Sequence, residues 1–136
     1  MYRPLALICA ALCASALTAC ASTVSTTGFS GAKRNVAQTV ANLQSDATAG
    51  EQKKICANDL AAATVARLGG VKGCESAVKS QLAEVDSLEA TVQSIQLAKG
   101  EAAATAQVKS IHQGKSRLSS LSLVKEGGKW KISGVG

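Results

Sequence analysis

Between residues 33 and 84 apolar side chains recur every three to four positions, and beyond residue 86 they recur every second one. That change of period divides the chain into a helical half and a strand half. Val36, Val40, Leu43 and Ala47 share one face of a helix predicted over 33–48. Lys33, Arg34, Gln38, Gln44 and Ser45 fill its other face, and Gly50 is placed to end it. A second helix starts near Glu51 and carries Ile55, Cys56 and Leu60 inward. Asn58-Asp59 breaks it ahead of a third helical segment, 60–68, with Val65 and Leu68 apolar. Gly69, Gly70 and Gly73 read as a loop, and 75–84 as a further short helix using Val78 and Leu82.

In the second half, Leu88, Ala90 and Val92 alternate with Glu89, Thr91 and Gln93, and then Ile95 and Leu97 continue on the opposite parity. The slip predicts a β-bulge near Gln93-Ser94. Turns at Lys99-Gly100-Glu101 and Gln113-Gly114-Lys115 bracket a strand over 102–112, with Ala104, Ala106 and Val108 on one face. A strand over 118–125 runs into Gly127-Gly128, a hairpin signal, and Trp130 and Ile132 face inward from the last strand. Helices followed by a four-strand antiparallel meander make an α+β domain over 33–136, with the helices packed on one sheet face.

The N-terminal region follows neither period. Residues 5–19 carry no charge and follow Tyr2, Arg3 and Pro4. A basic start, an apolar run and a small-residue end describe a secretory signal, whereas a membrane-spanning helix needs about 20 apolar residues. The run ends Leu17-Thr18-Ala19-Cys20, which resembles a bacterial lipobox. The resemblance implies cleavage before Cys20 and attachment of lipid to its sulfur, a thiolate being the nucleophile such chemistry uses. Each buried methylene contributes about 0.8 kcal/mol of membrane affinity, so two or three acyl chains such as palmitate hold stably where one does not. Ala19-Cys20-Ala21 is also an ordinary A-x-A site, and cleavage after Ala21 would release a soluble protein. The expected division is a signal over 1–19, a lipidated Cys20 with a flexible Ser-, Thr- and Gly-rich tether over 20–32, and the domain beyond. Eleven such tether residues reach about 18 Å, which keeps the domain near the cell membrane on its extracytoplasmic, or periplasm-facing, side.

Loss of 1–19 leaves 117 residues carrying fourteen Lys and Arg against nine Asp and Glu, a net +5, with Phe29 and Trp130 the only aromatics. A core that light calls for a covalent staple. Cys9 and Cys13 leave with the signal, so Cys56 and Cys74 are the available pair. A disulfide between them would close a 19-residue loop, equivalent to roughly 3 kcal/mol in the chain-entropy account. Free buried thiols are the alternative. A metal site would need two further ligands, and the single histidine is His112, so neither a metal nor a cofactor is expected.

Charge adds one candidate surface. Lys115, Arg117, Lys125, Lys129 and Lys131 crowd the last third of the chain. Against an anionic lipid or wall polymer each would contribute about 1 kcal/mol. The alternative is a solvated strand face whose lysines guard a sheet edge. Nucleic acid is excluded as a partner by the export signal and the lack of stacking aromatics.

The order of helices, Ala49-Gly50-Glu51, the segments KKIC (53–56) and KGC (72–74), and the closing hairpin LSLVKEGGKWKISGVG (121–136) resemble small lipoproteins of the nuclear transport factor 2-like superfamily. The resemblance implies a bent sheet wrapped round a helix to form a cone, closed by Trp130, and pairing of copies through the sheet as a homodimer. Enzymes of that superfamily place an Asp, His or Tyr inside the cone, where an apolar setting tunes its pKa. Here the inward strand positions are Ala, Val, Leu and Trp, Tyr2 lies in the signal, and His112 stands at a strand edge beside a turn. Asp86 and Glu89 flank the first strand in solvated positions. No catalytic residue carries over. The expected function is a lipid-anchored, non-catalytic binding or accessory module at the cell envelope, with an envelope protein or anionic polymer as partner. A small-ligand carrier or enzyme using the concave face of the sheet is the alternative.

Overall fold

Apolar faces on helices and strands this short are buried only by packing on each other. In the computed structural model, which describes residues 25–83, 89–112 and 114–136, they do so as an α+β fold. The signal expected over 1–19, Cys20, Asp86 and Leu88 lie outside the described residues. Four helices, α1 (Gly31–Thr48), α2 (Gln52–Lys54), α3 (Ala62–Arg67) and α4 (Gly70–Ala83), precede four strands, β1 (Glu89–Leu97), β2 (Ala103–His112), β3 (Lys115–Glu126) and β4 (Lys129–Val135). A π turn, Ile55–Asp59, continues α2. The strands form an open antiparallel sheet in sequence order.

The first helix ends as its glycine predicts. Gly50 takes a φ of +70°, its N–H donates to the Ala47 carbonyl at 3.1 Å, and Glu51 N–H donates to Asp46 at 2.9 Å. This is the paired Schellman arrangement, which satisfies carbonyls that a helix end leaves open. The buried stripe of α1 is rotated from the sequence reading. Val36 and Val40 are joined by Ala37, Ala41 and Gln44, while Leu43 and Ala47 are only half-buried. Gln44, placed on the polar face by its chemistry, is 4% exposed. Ala37 and Ala41 of α1 share one buried core with Ala104 and Ala106 of β2. Leu123, Trp130 and Ile132 complete that core from the last hairpin.

The register shift in β1 falls between Val92 and Ser94, and so both Val92 and Ile95 face the core across the slip. The free edge of β4 is taken by the segment after the π turn: Leu60 bridges Ile132 in parallel, and Ala61 N–H donates to the Ile132 carbonyl at 2.8 Å. On α3, Thr64 Oγ1 and Arg67 Nη2 each donate to the Ser133 carbonyl at 2.9 Å, and the Glu126 carboxylate accepts from Ala62 N–H at 3.0 Å.

The glycine-rich stretch departs from the sequence reading. Gly70 and Gly73 belong to α4 rather than to a loop, so Cys74 stands one turn inside the helix and Leu68 is exposed. The Sγ atoms of Cys56 and Cys74 lie 2.04 Å apart, at bonding distance, and both residues are buried. Gly73 is what lets α4 meet the end of α3: a Cβ there would stand 2.1 Å from the Leu68 carbonyl oxygen. Among the described residues no helix is long and apolar enough to cross a membrane.

Gly73→Ala is expected to force α3 and α4 apart and destabilise the fold by about 1–3 kcal/mol, as overpacking does. Gly114→Ala, with open space around the Cβ but a φ of +73°, supplies a comparison governed by backbone strain alone. Urea unfolding of the two variants separates steric from conformational cost.

Candidate functional site: a polar cleft with a buried acid

Two concave spaces border α1, and their chemistry differs. The first lies between α1 and the inner face of the sheet, about 270 Å³ lined chiefly by Val40, Leu43, Ala47, Val108, Leu121 and Val135. Its polar lining among the described residues is Gln44, Ser110 and Ser119. The described lining of this space is therefore largely apolar.

The second is a cleft of about 520 Å³ at the β4 edge of the sheet. One wall is the outer flank of α1, with Asn35, Gln38, Thr39 and Asn42 at helical spacing. Opposite stand Asn58 and Asp59 at the end of the π turn, and Lys129, Trp130 and Lys131 from β4. Bonds across the cleft set its width. Thr39 Oγ1 lies 3.1 Å from the Asn35 carbonyl and 3.4 Å from that of Trp130. Lys131 Nζ donates to the Asn58 carbonyl. Gln38 Nε2 donates to Asn42 Oδ1 at 3.0 Å along the helix.

Asp59 is 4% exposed. Burial pushes its carboxyl from the ordinary 3.8 up to about 7, helped by a hydrogen bond to Asp46 and by the charge there, and opposed by Lys131. Burial disfavours the charged form, and a neighbouring carboxylate is a natural acceptor for the retained proton. One Asp59 oxygen, Oδ2, is buried without a hydrogen-bond partner among the described residues, as is Trp130 Nε1. A chain interior rarely leaves such atoms unmatched. The π turn that presents Asp59 is itself an uncommon element that concentrates at functional positions.

The sequence-level candidates are distributed differently. Lys125, Lys129 and Lys131 gather at the β3–β4 turn, whereas Lys115 and Arg117 open β3 at its other end, roughly 30 Å away at strand rise. Two of the five are engaged within the fold: Lys125 Nζ stands 5.8 Å over the Trp130 ring, and Lys131 holds Asn58. Trp130 is 5% exposed, in the core and at the cleft wall together. Asp59 is the residue that sequence reading treated only as a helix breaker. Its signal was available: an acid set between Ile55-Cys56 and Leu60-Ala61 has apolar neighbours on both sides. Comparison with known families, curated proteins and solved structures gives no match to this chain.

Because Asp59 has a higher pKa folded than unfolded, folding favours its protonated form. Its contribution is complete below about pH 4 and is lost as pH rises through 7, a change of about 4 kcal/mol in the linkage relation. Urea midpoints measured from pH 5 to pH 8 are expected to fall for the native chain. Asp59→Asn, which keeps a neutral donor beside Asp46, should flatten that slope.

Proposed function

We propose that this chain is a lipid-anchored binding or accessory module of the cell envelope, without catalytic activity. Its domain is held outside the cytoplasm by an acylated Cys20. The observation that supports this reading from the geometry is the Cys56–Cys74 pair, buried at bonding distance. Bridges of that kind persist in oxidising compartments, where an exported chain resides. The uncharged run ending Leu17-Thr18-Ala19-Cys20 supplies the route there and the anchor. The placement of α1 across a bulged antiparallel sheet agrees with a nuclear transport factor 2-like cone, and in this reading the domain is a shallow member of that group.

Asp59 favours a second reading, a small-ligand carrier or enzyme. It is a buried acid that titrates near neutrality in a cleft, and such groups gather where proton chemistry or recognition takes place. That cleft lies at the β4 edge, not on the concave face.

Mass spectrometry of the native protein is expected to show an N-terminal Cys20 carrying acyl chains, and Cys20→Ser to move the chain from the membrane fraction to the soluble one. An unmodified N-terminus at Ser22 would remove the anchor. Charge reversal at Lys125, Lys129 and Lys131 together tests the anionic-surface alternative: binding of the acylated chain to phosphatidylglycerol vesicles should keep its strength if acyl insertion dominates.

A further inference from the structure

The chain enters its fold at one end of the sheet. Asn35, Gln38 and Thr39 of α1 share the polar cleft with Gly128 and Lys129, whereas Leu43 and Ala47 share the apolar cavity with Ser110 and Ser119. The first turn of α1 therefore lies toward the β3–β4 turn, and its last turn toward the end where β2 passes into β3. Antiparallel order puts the β1–β2 turn at the first of these ends as well, and Lys125 N–H donates to the Ala102 carbonyl there at 2.9 Å.

Cations collect at that end from three separate segments. Lys33 and Arg34 occupy the first turn of α1, which holds no acid. Lys99 stands in the β1–β2 turn, and Lys125 and Lys129 flank Gly127-Gly128. All five are exposed. The acids in the same segments are Glu101 and Glu126, and the second is taken by Ala62 N–H at 3.0 Å. The complement of such a patch is an anionic surface.

The opposite end carries exposed cations too, Lys109, Lys115 and Arg117. The length of the tether decides between the two ends. Phe29, just ahead of α1, packs against the core. It stands nine positions after Cys20, a reach of at most about 32 Å fully extended and about 16 Å on r.m.s. average. The twelve residues of β3 run about 40 Å from one end of the sheet to the other. A domain standing on its β2–β3 end would lift the start of α1 beyond the reach of a lipid on Cys20. Standing on the α1-entry end costs the tether nothing.

We propose that the domain docks by its α1-entry end on anionic phospholipid headgroups, with Lys33, Arg34, Lys99, Lys125 and Lys129 against the bilayer. The proposal rests on the lipid-anchor reading, which brings the chain to the membrane, and adds which surface meets it there.

Trp130 is the only tryptophan in the chain, and it pairs with Lys125 beside the β3–β4 turn, at the docking end. The acylated mature chain is incorporated into phosphatidylcholine vesicles with and without phosphatidylglycerol, both carrying a trace of dansyl-labelled headgroup, and energy transfer from Trp130 is read. Acyl insertion serves both vesicles, so transfer reports how the domain stands. Higher transfer with phosphatidylglycerol, lost at high salt, is the expected result. Lys33→Glu with Arg34→Glu should abolish that gain with the melting temperature held, because acids suit a helix N-terminus. Lys115→Glu with Arg117→Glu, the same charge change at the far end, should leave the gain intact. In the mature-length Cys20→Ser chain, the α1 pair should weaken sedimentation with phosphatidylglycerol vesicles about tenfold or more, at about fivefold for each cation near the surface. Equal transfer in the two vesicle types overturns the docking. So does a gain that both pairs abolish equally, which would mark net charge alone. A chain that does not sediment with phosphatidylcholine vesicles removes the anchor instead, and the Cys20→Ser measurement then decides the docking by itself.

Discussion

One backbone hydrogen bond, from Ala61 N–H to the Ile132 carbonyl, joins the helical half of the chain to the strand half. An edge strand leaves a row of unpaired groups that would otherwise pair with another chain. Here Leu60 and Ala61 occupy that row on β4, and Leu60 adopts extended angles, φ −92° and ψ 144°, to do so. The preceding helix must therefore stop at Asp59, and it stops as a π turn. The same turn is tied from its other end, through Cys56, to Cys74 in α4. Five residues are thus fixed from two directions, and the acid at their end cannot withdraw into solvent.

The position of Asp59 explains why a carboxyl is tolerated in an interior this small. Ionised and unpaired, it would be costly to bury. Retaining its proton and hydrogen-bonding to Asp46 removes most of that cost, while Lys131, drawn in by the Asn58 carbonyl, favours the ionised form and limits how far the carboxyl is pushed up. The lysine's role follows from backbone geometry. In the linear chain Lys131 is one of a series of cations in a hairpin, and only the fold brings it beside an acid more than seventy positions earlier.

Much of the architecture was legible because burial imposes period. The strand half obeys alternation so closely that the bulge at Val92/Ser94 could be read from a change of parity. The inward set of Ala104, Ala106, Val108, Trp130 and Ile132 follows from the same rule. The helical half was less legible where close approach overrode propensity. Gly73 reads as a loop residue in isolation, yet stands in a helix at a place where the Leu68 carbonyl leaves no room for a side chain. Gln44 reads as surface and is buried, because the face of α1 toward the sheet is wider than its aliphatic residues alone define. The cleft itself was not legible. Its walls come from α1, the π turn and β4, and no periodicity relates Asn35 to Asp59 or to Trp130.

The core between α1 and the sheet includes four small side chains, Ala37 and Ala41 from the helix and Ala104 and Ala106 from β2. A methylene added at Ala37 or Ala106, which are fully buried, would have to be accommodated by shifts of the neighbouring side chains or of the helix itself. Because the opposite flank of that helix is a wall of the polar cleft, the aperture is governed from behind, by residues that no guest molecule touches. Divergence among descendants of this chain could thus retune what is admitted by exchanging alanine for valine in the interior, with every lining side chain retained.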